Sequence, residues 1–291
     1  MTIRPLTRLL LATLLLGSWT SSANGASTPI TACPFSITVG GTYSLANDLV
    51  ASGDCIVIDQ PLGASVTVNL NGFSIFGDGS GTAIVAPNVG RKISIVGPGT
   101  ITGFLVGIDL GFTTDVTVKR MVVSDTTFGG IVVGQGSITD SDVSTNFTFN
   151  FFGVATGDKS TVKNVTASNG HVVGIQVGAN STVTQSIADN NLNGIIAGNK
   201  SRVKTSTAIG NAFGIQVGDG GSVSESIAGG STVGIGAGVK ANINANTVNG
   251  QFLGISATCP GTIQQNTISG SVAPLNLIGE GCTVRNNVII P

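Results

Sequence analysis

Apolar residues in this chain fall into a short phrase that returns at a near-constant interval. The phrase is a Gly, then Ile or Val, a variable residue, a small or apolar residue, and a Gly or Thr. It spans 107–111, 130–134, 153–157, 174–178, 194–198, 214–218, 234–238 and 254–258. The step between leading glycines is slightly longer over the first three intervals and strictly constant from Gly174 to Gly254. A fixed period of about 20 residues predicts a solenoid, whose unit cannot bury its apolar face alone and must stack on its neighbours.

A second phrase begins eight residues after the leading Ile: apolar, two residues, Ser or Asn, one residue, apolar. It reads Val183–Ser186–Ala188, Val203–Ser206–Ala208, Ile243–Asn246–Val248, Ile263–Asn266–Ile268 and Val284–Asn287–Ile289. Each turn therefore holds three short strands, with apolar rows inward and the Ser/Asn position stacked on itself. Neighbouring turns would lie about 4.8 Å apart. Asn246, Asn266 and Asn287 are expected to form an amide ladder, each bonding to the next turn. Before the regular zone, Val66, Val68 and Leu70 alternate as one strand face, and residues 93–101 repeat the idea one turn later.

The Gly-Ile phrases, with Val66-Thr-Val-Asn-Leu-Asn-Gly72, resemble the right-handed parallel β-helix proteins of the pectate-lyase-like superfamily, in its exported bacterial branch. The resemblance covers about residues 33–291. It implies an all-β chain: one single-stranded right-handed solenoid of about ten turns of 20–23 residues. The family includes polysaccharide lyases, hydrolases and epimerases, and the fold alone does not choose among them. The expected organisation is a signal peptide at 1–25, an N-terminal cap at 26–60 and the β-helix at 61–291.

The signal rests on Arg4 and Arg8, an apolar run from Leu9 to Gly17 and small residues before Gly25. That run is too short to span a bilayer, so no membrane span is expected after its removal. The protein is expected to be secreted or periplasmic. Gly fills 43 of 291 positions, charged residues are 9% and the formal net charge is −1. This balance favours strands and turns, and offers no basic surface for nucleic acid. Four cysteines allow three pairings. In a stack of turns, Cys33 and Cys259 would be roughly 40 Å apart at about 4.8 Å per turn, beyond disulfide reach. The expected pairs are Cys33–Cys55 and Cys259–Cys282, one near each end. One His and no Cys-x-x-Cys imply no metal site, and no cofactor is implied.

Enzymes of this family need carboxylates on adjacent turns in one column. The column after the leading Ile reads Asp109, Val132, Ala155, Gln176, Ile196, Gln216, Gly236, Ser256, Asn276, with a single acid. The column one residue into the second phrase reads Thr139, Lys163, Thr184, Lys204, Ser224, Asn244, Gln264, Arg285, with none. The charge is densest over 109–171, so catalytic candidates are Asp140 and Asp142, on one strand face, with Lys163 a turn later as base. His171, the only histidine, is a further catalytic candidate, though its place after Asn169-Gly170 favours a surface turn histidine. Phe147 and Phe149, in a turn with extra residues, are candidates for stacking on sugar rings or for folding back over an apolar groove.

Three functions compete. The first is an exported protein that binds or organises extracellular polysaccharide through long neutral faces. The second is a lyase, epimerase or hydrolase using the 109–171 cluster. The third, a flat ice or surface binder, needs unbroken Thr columns, and the best column breaks at Arg202 to Asn242. The absence of a stacked acid column leans against an enzyme. The C-terminal turn lacks a polar cap, so an end-to-end dimer is a further expectation.

Overall fold

The computed structural model describes residues 27–59, 64–88, 92–111, 113–145, 150–229, 232–249 and 251–291. Among these, every regular element is a β-strand, and strands of successive turns pair in parallel to form a β-solenoid of about eleven turns. The stack exceeds the repeat count because strands before the regular zone already join it. Phe35–Ile37 pairs with Ile56–Ile58, and Thr28–Ile30 with Gly41–Leu45.

A regular turn has three strands, for example Asn193–Ala197, Arg202–Lys204 and Thr207–Ile209. The first strands of successive turns form a twelve-stranded sheet that contains every Gly-Ile phrase. The second and third strands belong to a larger sheet that wraps the other two faces. The sequence columns stack as read: Gln176 pairs with Ile196, Ile196 with Gln216, Gln216 with Gly236 and Gly236 with Ser256. Lys163, Thr184, Lys204 and Ser224 likewise pair in succession.

The interior is a set of rows parallel to the axis. Ile175, Ile195, Ile215, Ile235 and Ile255 form one, and Val183, Val203, Val223, Ile243 and Ile263 another, all fully buried. Burying each such side chain contributes about 1.5–3 kcal/mol. The leading glycine is required by close approach. A Cβ on Gly194 would lie 2.6 Å from the Gly214 carbonyl oxygen and 2.9 Å from Ala208 Cβ, inside van der Waals contact.

All three corners turn on buried polar ladders, and the one between the second and third strands runs furthest. The backbone N–H of Ser186 donates to Ser206 Oγ at 3.3 Å, and that of Ser206 to Ser226 Oγ at 3.2 Å. The chain of bonds passes to Asn246, Asn266 and Asn287, with the Asn246 and Asn266 side-chain amides each donating at 2.9 Å to the next Asn. The expected amide ladder is therefore present, and serines extend it. Each serine hydroxyl also donates back across the corner, as Ser206 Oγ does to the Lys204 carbonyl at 2.9 Å. The residue before each ladder member is left-handed: Arg120, Asp140, Asn164, Gln185, Thr205, Glu225, Ala245, Gln265 and Asn286 have φ of 51–58°. Such a conformation costs a non-glycine residue about 1–2 kcal/mol. The ladder bonds fix the corner and offset that cost, and they leave a row of outward side chains along the axis.

Disulfides join Cys33 to Cys55 and Cys259 to Cys282, with Cα atoms 4.7 Å and 5.0 Å apart. Each lies toward one end of the stack and closes about one turn, where a turn has fewest neighbours to hold it.

Candidate functional site

The twelve-stranded sheet has an almost uncharged outer side. Of its strands, only Val106–Leu110 carries a charged residue, Asp109. Asp109 Oδ1 accepts from the Gly111 N–H at 3.0 Å. The seven strands from Asn150–Thr156 to Ala273–Ile278 hold no Asp, Glu, Lys or Arg. Their outward positions are Gln, Ser and Asn beside Phe, Val, Ile and Leu. Phe151, Leu192 and Phe252 stand exposed along the edge where each turn enters this sheet.

An open groove of about 330 Å³ lies on this side. Phe213 and Val233, paired across adjacent turns, form one wall, and Gly236 forms a dent between Gln216 and Ser256. Gly236 has nothing within 4 Å of where its Cβ would stand except Gln216 Cγ at 3.5 Å, so the dent is open space. The polar groups of the groove are held in place. Gln216 Nε2 donates to Asn193 Oδ1 at 3.2 Å, and Ser256 Oγ accepts from Asn276 Nδ2 at 3.0 Å. Gln216 Oε1 and the Ser256 hydroxyl proton remain for a ligand.

A second groove, about 360 Å³, runs along the left-handed corner of the wrapped sheet. Asp140 and Asp142 both line it around buried Ser141, but they do not share a strand face, because Asp140 is the left-handed corner residue. The cation that joins them is Arg120, one turn before Asp140 in the corner row. Lys163 does not line this groove. It pairs with Thr139 on the strand before the corner, and the left-handed turn at Asp140 sends the chain onto another face. The residue that follows Asp140 in its row is Asn164, whose Nδ2 donates to Asp140 Oδ1 at 2.8 Å. Arg120 was legible in principle, because it precedes Asp140 by one repeat, but a corner row cannot be told from a strand row without the left-handed φ. No other acid stacks on the pair within the groove. Among the described residues, no three of His, Cys, Asp or Glu gather as a metal-ligand set.

His171 corrects the sequence reading. It is 1% exposed and opens the strand His171–Val177, in register with Asn150. It occupies the third corner's buried ladder, where Asn191 accepts its N–H at 3.2 Å and Asn211 accepts that of Asn191 at 2.9 Å. The equal steps from His171 to Asn191 and from Asn191 to Asn211 carry this signal in the sequence. Neither ring nitrogen makes a hydrogen bond, and Asn150 Oδ1 beside it also lacks one. Burial pushes the imidazole pKa from 6.5 to about 4, with the Val143 and Ser168 carbonyls only partly opposing it. A neutral histidine sealed in the core has no route to a substrate.

Phe147 and Phe149 lie outside the described residues. Their neighbours Phe151 and Phe152 are described: Phe151 packs on Phe128 with ring centroids 5.0 Å apart and on Phe152 at 6.4 Å.

No family model matches the chain, and no curated protein does. Solved structures do share its shape. A double mutant of the periplasmic alginate epimerase AlgG is 12% identical over 90% of this chain and 76% of that one, with a TM-score of 0.58. A single mutant of the same epimerase gives 9% identity over 89% and 77%, at 0.57. The epimerase without those changes gives 13% over 90% and 76%, at 0.51. At these identities the likeness is one of fold: the chain is a parallel β-solenoid, a fold it shares with that epimerase.

Proposed function

We propose that this protein is exported and associates with an extracellular polysaccharide along the outer side of its twelve-stranded sheet, binding or organising the polymer. The observation that carries this reading is the row structure of that side. A polymer laid along the axis meets one turn every ~4.8 Å, about the length of a sugar residue, and finds an uncharged strand at each of seven successive steps. Many weak contacts of one kind then add along the chain. The shared fold with an alginate epimerase supports a polysaccharide partner, and the two disulfides support an oxidising, extracytoplasmic compartment. The test is a glycan array with a parallel polysaccharide-degradation assay on the exported chain. Binding without new chain ends is expected, and failure to bind any glycan would sink the reading.

One observation favours a second reading, a lyase, epimerase or hydrolase. Asp140, Asp142 and Arg120 line one solvent-open groove, and two acids with a cation can divide acid, base and charge-neutralising roles. Product formation that disappears in Asp140→Asn and Asp142→Asn would establish it. An end-to-end dimer through the last turn belongs to the same set of proposals. Val284 and Ile289 are 41% and 49% exposed there, whereas Ile263 and Ile268 one turn earlier are fully buried. A single monomer peak across concentrations would count against it.

A further inference from the structure

We infer that the polysaccharide this sheet accepts is electrically neutral, and that its principal contact is the groove between Phe213 and Ser256. The inference rests on the polysaccharide reading above and adds the chemical class of the polymer. A uronate chain carries a carboxylate on each sugar. Laying it on this sheet would remove water from those carboxylates, and no Lys or Arg stands on the seven strands from Asn150 to Ile278 to replace that water. Burying a charge without a partner is strongly unfavourable. Charges such as Asp158, Lys159, Lys200, Asp219 and Lys240 sit in the turns that follow the sheet. They are of both signs and do not line the groove.

What the groove does offer suits an uncharged pyranose. Phe213 and Val233 give an apolar wall for the C–H face of a sugar ring, and the Gly236 dent leaves depth for it. Gln216 supplies a carbonyl acceptor and Ser256 a hydroxyl donor, both already fixed by Asn193 and Asn276. Fixed partners cost less ordering entropy when a ligand binds. Sugar hydroxyls can satisfy both, so a neutral ligand leaves neither group unpaired.

Equilibrium binding tests this with the full exported chain and two sets of soluble polymers: neutral β-glucan, xylan and mannan, and anionic alginate and polygalacturonate. Each is measured at low and high salt. At least one neutral polymer is expected to bind with affinity that changes less than about twofold with salt, since no charges are screened. Phe213→Ala and Gly236→Leu should each weaken that binding about tenfold or more. The leucine has open space to enter and Phe213 is 38% exposed, so both variants should stay close to the parent's melting temperature. Preferential, salt-sensitive binding of alginate or polygalacturonate would overturn this inference and leave the polysaccharide reading standing. Binding of neutral polymer that both variants leave intact would overturn the assignment of the groove. Binding of no polymer of either class would overturn both readings.

Discussion

The sheet groove at Gly236 and the corner groove at Asp140 are built by one repeat and present opposite surfaces. The sheet groove lies where the repeat keeps a constant length, and its outer rows are uncharged. The corner groove lies where successive turns differ in length, and it collects two acids and an arginine. In the first, the row Gln176, Ile196, Gln216, Gly236 and Ser256 stays uncharged from turn to turn, so an uncharged ligand that repeats can be met at successive turns. In the second, the corner row changes from Arg120 to Asp140 to Asn164 in three turns, so only a local ligand fits. A solenoid's regularity thus separates an extended uncharged face from a point site.

The largest effect is expected at the scaffold both grooves share. Gly194→Val puts a branched side chain against the Gly214 carbonyl and Ala208. It should cost more than about 3 kcal/mol and leave the chain largely unfolded by circular dichroism. Next is Asn266→Ala, which removes the acceptor of the Asn246 N–H and a fully buried amide. It should lower stability by about 2–3 kcal/mol in urea unfolding, at both grooves alike.

His171 gives a pH test. Its folded pKa is about 4 against 6.5 for an ordinary imidazole, so the unfolded chain takes up a proton in that interval and the folded chain does not. The stability contributed by the neutral ring is present above about pH 6.5 and is lost as pH falls toward 4. His171→Asn should flatten this part of the stability–pH curve. It should also gain about 1 kcal/mol at pH 7, because an amide there can reach the Val143 carbonyl as Asn191 reaches that of Ala167 at 3.0 Å. The smallest effect is expected from Asp140→Asn with Asp142→Asn. Both side chains are exposed, so stability should stay within about 0.5 kcal/mol, and binding of neutral polymer at the sheet should not change.

Much of this fold was legible because its spacing is nearly strict. A constant step aligns Gln176, Ile196, Gln216 and Gly236 correctly, and it places Asn246 on Asn266. The same step moves His171 from a surface turn into the Asn191 column. The Asn-Gly pair before it, a strong turn signal, hides the fact that the residue after the turn points inward. The partner of Asp140 is hidden for another reason. Strand 136–144 is continuous, yet the left-handed φ at Asp140 shifts its inward positions from Ile138 to Ser141 and Val143 and bends it onto a second face. Nothing in the residue type announces the bend, since the same corner is occupied by Thr205, Ala245 and Gln265. The sheet groove escapes a sequence reading because it depends on an absence, the side chain that Gly236 lacks among larger neighbours.

Hydroxyl-radical footprinting of the protein with saturating neutral polysaccharide tests the central claim most directly. Protection is expected at Phe213 and Val233 on the twelve-stranded sheet and at Phe252 on its edge, with Val122 in the corner groove reacting as it does in the free protein. Protection at Val122 with none at Phe213 would contradict the account and move the binding site to the charged corner.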